Sequence, residues 1–151
     1  MDPQIAALHK LSTTRIYNAV EALTPDEWFA MPTGFDNNIA WNIGHLLFVQ
    51  QMILYRRSGL TPNVPETYGP MFKPGTFPSD WSRKPDIAEM LSLMKNVGDQ
   101  VVADAAAGQF AGFEGMEIGG VPLPDINSGA SFNLWHDGLH LGVIGALKNA
   151  L

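Results

Sequence analysis

The sequence predicts an all-α protein, a four-helix bundle that forms a single domain over residues 1–151. Four segments place apolar residues at the helical spacings of three and four, and only one short stretch favours β-strands. Hydrophobic residues make up 46% of the chain and charged residues 16%. At 151 residues, this balance is typical of one globular domain with a single hydrophobic core.

The first two helices are predicted on either side of a short turn. The first runs from about Pro3 to Leu23 and the second from about Asn38 to Ser58. Between them, Thr24, Pro25 and Glu27 form a capping box with proline at the first helical position. A link this short favours antiparallel neighbours. The inward positions are Ile5, Leu8, Ile16, Ala19, Val20 and Leu23 in the first helix, and Trp41, His45, Phe48, Val49, Met52 and Tyr55 in the second.

Residues 60–84 form a long connection that is rich in proline. A continuous helix is forbidden by its prolines, which are Pro62, Pro65, Pro70, Pro74 and Pro78. A connection of this length can cross the bundle from end to end, so we expect the second and third helices to run parallel. The aromatic residues of the connection either wall a ligand pocket or simply cover the core; they are Tyr68, Phe72, Phe77 and Trp81.

The third and fourth helices complete the bundle. The third is expected from about Pro85 to Ala107. A stretch rich in glycine and proline follows, and its segment "MEIGGVPL" predicts a small hairpin around Gly119–Gly120. The fourth helix is expected to begin near Ser128–Ser131 and to run to the end of the chain. Its inward positions are Phe132, Trp135, His136, Leu139, His140, Val143, Ile144 and Leu147.

Composition excludes several classes of function. The chain has no cysteine, so disulfides, cysteine-ligated zinc, iron–sulfur clusters and a cysteine nucleophile are excluded. The net charge is −6, and the nine Lys and Arg residues form no basic patch. Nucleic acids and anionic membranes are therefore disfavoured as partners. No apolar run approaches the roughly 20 residues of a membrane span, and no signal-peptide layout is visible, so we expect a cytoplasmic protein.

Three histidines lie at inward positions. His136 and His140 are four residues apart, so both imidazoles lie on the same face of the fourth helix, and His45 lies on the inward face of the second. A buried imidazole without partners costs free energy, but three of them can each give a lone pair to one metal ion. A three-histidine site with a vacant position is the pattern of catalytic zinc. His9, by contrast, is expected to be an ordinary helix residue.

Other interpretations of these histidines remain open. A single inward histidine is more often a hydrogen-bonded core residue, and H-x-x-x-H arises often by chance. The segment "HDGLH" is similar to the H-E-x-x-H of metalloproteases, but Asp137 is shorter than glutamate and no third ligand follows His140. A di-iron carboxylate site lacks its Glu-x-x-His motifs. We expect Asp137 on the helix surface or beside the ligands, and Asn42 and Gln51 as polar lining.

Two segments carry a resemblance to a known family. "WNIGHLLFVQQ" (Trp41–Gln51) and "HDGLHLGVIGAL" (His136–Leu147) resemble the DinB/YfiT-like four-helix bundles, and the resemblance spans nearly the whole chain. It implies an up-down-down-up bundle with a long crossover between helices 2 and 3. It also implies a divalent metal, usually zinc or nickel, held by His45, His136 and His140, and often a homodimer. One departure is visible, because the glutamine that often follows H-x-G in the family is Val143 here.

Two functions follow from the residues and the resemblance. Characterised members of the family include S-transferases and isomerases that use bacillithiol, mycothiol or glutathione. The first hypothesis is therefore a metal-dependent enzyme in which an activated thiol or water attacks an electrophilic small molecule. The second is a non-catalytic stress-response module that binds a small molecule or a partner, with a structural metal or none.

Overall fold

The computed structural model describes residues 1–151 and is mostly helical, in agreement with the predicted all-α class. It contains six α-helices and two short strands: α1 (Pro3–Val20), α2 (Pro25–Phe29), α3 (Ile39–Gln50), α4 (Tyr68–Phe72), α5 (Ile87–Ala106), β1 (Met116–Ile118), β2 (Val121–Leu123) and α6 (Ile126–Asn149). None of the helices combines the length and the apolar composition of a membrane span.

Polar side chains cap the beginnings of the long helices. Asp2 accepts hydrogen bonds from backbone amides at the start of α1, and Asp86 and Asp125 do so for α5 and α6. The predicted starts of the last two helices were therefore wrong by a few residues. The capping box of Thr24 and Glu27 is confirmed, and it begins the short helix α2.

The segment predicted as one helix from Asn38 to Ser58 is helical throughout, but its hydrogen-bond pattern changes. Helix α3 ends at Gln50, a π-helical turn covers Gln51–Tyr55, and a 3₁₀ turn covers Arg56–Ser58. Gly59 then ends the segment in the left-handed conformation, with φ at 76°. The π-helical turn brings three consecutive residues, 53 to 55, into the core.

Helices α1 and α6 lie side by side and run in the same direction. At one end, the backbone amide of Asp2 donates to Oδ1 of Asn127 at 2.8 Å. At the other end, Nζ of Lys148 donates to the carbonyl of Ala19 at 2.5 Å. The two helices therefore begin at one end of the molecule and finish at the other.

Helices α3 and α5 run opposite to these two. Residues 42 and 45 of α3 contact residues 140 and 136 of α6, in reversed order. On α5, Asp99 pairs with Lys10 of α1 at 2.5 Å, and Lys95 lies over the ring of Tyr17 at 5.9 Å. The close approach of α1 and α5 is possible because Gly98 has no side chain at the crossing.

The connection between α3 and α5 covers the core rather than standing away from it. Its prolines prevent a continuous helix, as predicted, but the short helix α4 forms within it. Tyr68 and Phe72 are fully buried, whereas Phe77 is 44% exposed and does not line an interior pocket. The hydroxyl of Thr76 donates to the carbonyls of Met71 and Lys73. Its oxygen accepts from Nε1 of Trp41 at 3.1 Å, which ties the connection to α3.

The predicted hairpin is confirmed. Strands β1 and β2 are antiparallel, and Ile118 pairs with Val121 across the turn. The turn residues Gly119 and Gly120 have φ of 59° and 81°, the left-handed conformation that a two-residue hairpin loop requires. This hairpin leads the chain into α6.

His9 is a core residue, and the expectation of an ordinary helix position was wrong. Its side chain is fully buried because the beginning of α6 packs over the beginning of α1. Its Nε2 lies 3.1 Å from the carbonyl of Ala130 and must donate to it, since a carbonyl only accepts. The other ring nitrogen, Nδ1, is buried without a partner. Leu8, predicted to face inward, is instead 45% exposed.

We expect His9 to lower the stability of the protein in acid. Burial lowers the pKa of His9 from 6.5 to about 4, and the bond to Ala130 offsets this only in part. Below pH 6.5 the imidazole of His9 takes up a proton in the unfolded chain, whereas in the folded chain it stays neutral until the pH approaches 4. The free energy of unfolding therefore decreases as the pH falls from 6.5 toward 4. The loss is on the order of 3 kcal/mol once the folded pKa is reached.

Urea unfolding of the wild type and of His9→Gln tests this expectation. Glutamine does not titrate, and its amide can still donate toward Ala130. Between neutral pH and pH 4, the variant should lose less stability than the wild type by the amount given above. Equal losses of stability in the two proteins would show that His9 does not cause the decrease.

Candidate metal centre

The fold brings together the three histidines that the sequence singled out. His45 comes from the middle of α3, and His136 and His140 come from successive turns of α6, which packs against α3 in the opposite direction. One ring nitrogen from each of the three lies within 4.8 Å of the other two. Nε2 of His45 and Nε2 of His136 are 3.1 Å apart. Imidazole ligands at about 2.1 Å from a tetrahedral ion lie roughly 3.4 Å from one another, so the three could hold one divalent ion.

Hydrogen bonds orient two of the three rings. Nδ1 of His45 donates to the backbone carbonyl of Phe72 at 2.7 Å. Nδ1 of His140 donates to Oδ1 of Asn42, also at 2.7 Å. Because each Nδ1 carries a hydrogen, each Nε2 presents a lone pair toward the shared centre. Outer partners of this kind fix the tautomer and the ring orientation of metal-binding histidines.

The ring of His136 is held differently. Its Nδ1 is buried and has no hydrogen-bond partner. Its ring stacks on Phe132, with centroids 6.2 Å apart and planes at 17°. Packing against this aromatic ring and the 3.1 Å contact between its Nε2 and Nε2 of His45 therefore set the orientation of His136.

All three imidazoles favour the neutral form that a metal ligand needs. Burial is the largest cause in each case. It lowers the pKa of His45, and it lowers the pKa of His136 to about 4 and that of His140 to about 3. The positive charge that each ring would bring to the others adds to the effect at His136 and His140. At neutral pH the site therefore offers lone pairs without first releasing protons.

Asn42 is itself fixed by neighbouring residues. Its side chain is fully buried, and its Nδ2 donates to Oδ1 of Asn37 at 3.0 Å and to the carbonyl of Asn38 at 2.8 Å. The amide oxygen must then face His140. Asn42, which was expected as polar lining, therefore accepts a hydrogen bond from the ring of His140. Trp41 adds a flat wall, since its ring stacks on His45 at 4.6 Å.

Asp137 was expected on the helix surface or beside the ligands, but it lies inside the protein and bonds to other residues. The side chain is 3% exposed. Its carboxyl accepts from the hydroxyl of Ser12 at 3.0 Å and from Nδ2 of Asn133 at 3.1 Å, and it contacts none of the three imidazoles. Burial raises the pKa of Asp137 to about 7. The residue thus ties α6 to α1 from the buried face of α6, about 100° around the helix from His136.

Gln51 belongs to a different part of the molecule. Its Oε1 accepts from the backbone amide of Asn63 at 2.8 Å, and its Nε2 donates to Gln50. It lines a cavity of about 250 Å³ between α3 and α5, and it has no contact with the histidines. Gln51 follows His45 by six residues, which places its side chain about 120° around the helix from that ligand.

Two contacts of the site could not be read from the sequence alone. The acceptor for His45 is a main-chain carbonyl at Phe72, and backbone groups leave no compositional signal. The stacking of Phe132 on His136 has a weak signal, because residues four apart share a helix face. Trp135 and Leu139, predicted to face inward, are 59% and 49% exposed.

Removal of the Asn42 side chain is expected to weaken metal binding. In Asn42→Ala, Nδ1 of His140 loses its acceptor, and loss of such an outer partner costs roughly 10- to 100-fold in metal affinity. Asn96→Ala is the control, since Asn96 is an exposed asparagine of α5 that contacts no histidine. Titration with zinc should give wild type and Asn96→Ala similar affinities and Asn42→Ala a clearly lower one. Equal affinities for all three proteins would show that Asn42 does not orient the ligand.

The family comparison covers the whole site. The family model described as DinB superfamily matches residues 9–144, which include all three histidines. Comparison with curated proteins finds no match.

Proposed function

Since the chain belongs to the DinB superfamily, we propose that it is a divalent-metal-dependent enzyme in which His45, His136 and His140 hold the ion. The observation that carries the proposal is the convergence of three neutral, oriented imidazoles from two helices. Three histidines with an open position are typical of catalytic rather than structural zinc. Zinc and nickel are the expected metals.

The proposed reaction is attack by a low-molecular-weight thiol, or by water, on an electrophilic small molecule. When bound, a divalent ion supplies a nucleophile at neutral pH because it lowers the pKa of a thiol or water ligand. The chain's own residues orient the ligands through Asn42 and Phe72 and exclude water on one side through Trp41. No cysteine is present to serve as the nucleophile, so the thiol would come from a substrate or cofactor.

A non-catalytic metal-binding module is the second candidate, and one observation favours it. No carboxylate or lysine contacts the three imidazoles, and the nearby Asp137 points toward α1. A general acid or base beside the centre is therefore missing. The same fold could then bind a small molecule or a partner in a stress response.

Further features of the fold and its setting are part of the proposal. We infer a single-domain four-helix bundle with up-down-down-up topology, formed by α1, α3, α5 and α6. The pairwise directions of these helices and the long connection before α5 support it. We also propose a cytoplasmic homodimer whose substrate is a small molecule rather than a nucleic acid or a membrane.

A thiol-transfer assay tests the proposed reaction. The protein is purified without a metal-affinity tag, loaded with zinc or nickel, and mixed with bacillithiol or glutathione and an electrophile such as 1-chloro-2,4-dinitrobenzene. The proposal expects a rate that disappears on metal removal and returns on reloading. A protein that binds metal at the three histidines but gives no metal-dependent rate with any thiol, or with water, would favour the non-catalytic module.

A further inference from the structure

A row of aromatic rings leads from the three histidines to the protein surface. The ring of Phe132 stacks on His136 and lies 5.3 Å from the ring of Trp135. Trp135 is 59% exposed, and Leu139, one turn further along α6, is 49% exposed. We name these three side chains, Phe132, Trp135 and Leu139, the apolar shelf. Phe132 is anchored because it also packs against the core near Ile53.

The shelf lies beside the two partly exposed histidines. His136 and His140 are partly exposed, whereas His45 is buried on the far side of the centre beneath Trp41. The shelf residues and the two exposed ligands alternate along the same part of α6. The shelf therefore borders the partly exposed side of the metal ligands.

The helices around the centre carry almost no charge. The segment from Ile39 to Tyr55 contains no charged residue. Between Ile126 and Leu147 the only charged residue is Asp137, which is buried against Ser12. An anionic substrate would need cations such as arginine for charge-assisted hydrogen bonds, and these helices offer none at the shelf. An exposed tryptophan on a helix without charged neighbours gains most from burial under an apolar group.

We propose that the substrate carries an uncharged aromatic or aliphatic group next to its reacting atom, and that this group packs on the apolar shelf. This inference rests on the proposed function, because it assigns a substrate class to the same metal centre. It concerns the thiol, whose sulfur would bind the metal and whose adjoining group would lie on the shelf.

Two thiol probes of similar acidity separate the substrate classes. Benzyl mercaptan carries an uncharged ring, and 2-mercaptoethanesulfonate carries an anionic group. Each is titrated into the cobalt-loaded full-length protein, and binding is read from the change in the visible cobalt spectrum. We expect benzyl mercaptan to bind at least about tenfold more tightly, since stacking and burial of one ring give an effect of this size.

Variants assign the preference to the shelf. Trp135→Ala removes an exposed side chain and should reduce the preference for benzyl mercaptan severalfold. Leu8→Ala removes a similarly exposed apolar side chain on α1 and should leave it unchanged. Lys73 is an exposed cation that follows Phe72 in the loop, and Lys73→Met should not change the binding of 2-mercaptoethanesulfonate.

The outcomes distinguish this inference from the proposed function. If the wild type binds no cobalt, the proposed function fails and the inference falls with it. If cobalt binds but both thiols bind equally, or Trp135→Ala keeps the full preference, the inference alone is overturned. Sedimentation of the same proteins gives a further check. A dimer that Trp135→Ala converts to monomer, with the thiol preference intact, would make the shelf a contact between two copies and overturn the inference.

Discussion

Replacement of His140 by alanine is expected to abolish stoichiometric metal binding. His140 is one of three ligands and the one whose ring Asn42 holds in place. Zinc sites gain on the order of 10–16 kcal/mol from about four ligands, so the loss of one ligand should cost roughly a hundred- to a thousandfold in affinity. Elemental analysis of tag-free protein and competition with a chelator measure this loss.

Stability gives an independent measurement of the same loss. A ligand that binds only the folded state at a hundred times its Kd raises the free energy of unfolding by about 2.7 kcal/mol. Added zinc should therefore stabilise the wild type and leave His140→Ala unchanged. His45→Ala and His136→Ala should behave alike, because the three ligands act as one unit.

Leu139→Ala is the matched control for His140→Ala. Leu139 precedes the ligand on α6 and is half exposed, so its removal should leave both the affinity and the zinc-induced stabilisation intact. If His140→Ala retained one zinc per chain at wild-type affinity, the assignment of the metal centre would be wrong.

Gly44→Ala is expected to destabilise the fold and the metal centre together. A Cβ at position 44 would lie 2.5 Å from Cε1 and Cζ of Phe72, far inside van der Waals contact. The Phe72 ring is fully buried and packed edge-on against Tyr68 and Trp81, so it has little room to move. Overpacking of this kind typically costs about 1–3 kcal/mol, more than the roughly 1 kcal/mol that alanine gains over glycine in a helix.

Gly44→Ala should also weaken metal binding, because it displaces a backbone carbonyl that orients a ligand. The carbonyl of Phe72 accepts the hydrogen bond from Nδ1 of His45, so a displaced Phe72 releases that ring. We expect the zinc affinity of Gly44→Ala to fall by about tenfold or more. Chemical unfolding and zinc titration of one preparation measure both effects.

Gly142→Ala provides the control for Gly44→Ala. Gly142 lies on the exposed face of α6, and an added Cβ there would meet no atom within 4 Å. This variant should gain about 0.5–1 kcal/mol of stability from its helix propensity and keep its zinc affinity. If Gly44→Ala were as stable as Gly142→Ala, the close packing of Phe72 on α3 would not constrain the fold.

The sequence predicted the parts of this protein that depend on local pattern. Capping side chains, proline positions and the Gly119–Gly120 turn act within a few residues, so the short helix α2, the break before α5 and the hairpin followed from them. The inward placement of His45, His136 and His140 followed because their helical spacing places them on faces that pack together.

The facing of α6 could not be predicted because its polar and apolar residues do not separate onto two faces. Asn133 and Asp137 are buried, whereas Trp135 and Leu139, which were placed inside, are exposed. Asp137 was expected on the helix surface or beside the ligands because it lies about 100° around the helix from His136, but its carboxyl is buried, where it accepts hydrogen bonds from Ser12 and Asn133. The burial of His9 depends on α6, which is distant in sequence, and α1 alone carries no sign of it.

The π-helical turn at Gln51–Tyr55 also has an evolutionary consequence. Hydrogen bonds in such a turn close over five residues instead of four, so the turn holds one residue more than the α-helix that it interrupts. A homologue with a continuous α-helix at this position would need one residue fewer, and the residues before and after it would still face the same neighbours. A correct alignment of the two sequences would then require a single-residue gap inside a helix, between the segment that carries His45 and the segment that begins at Arg56.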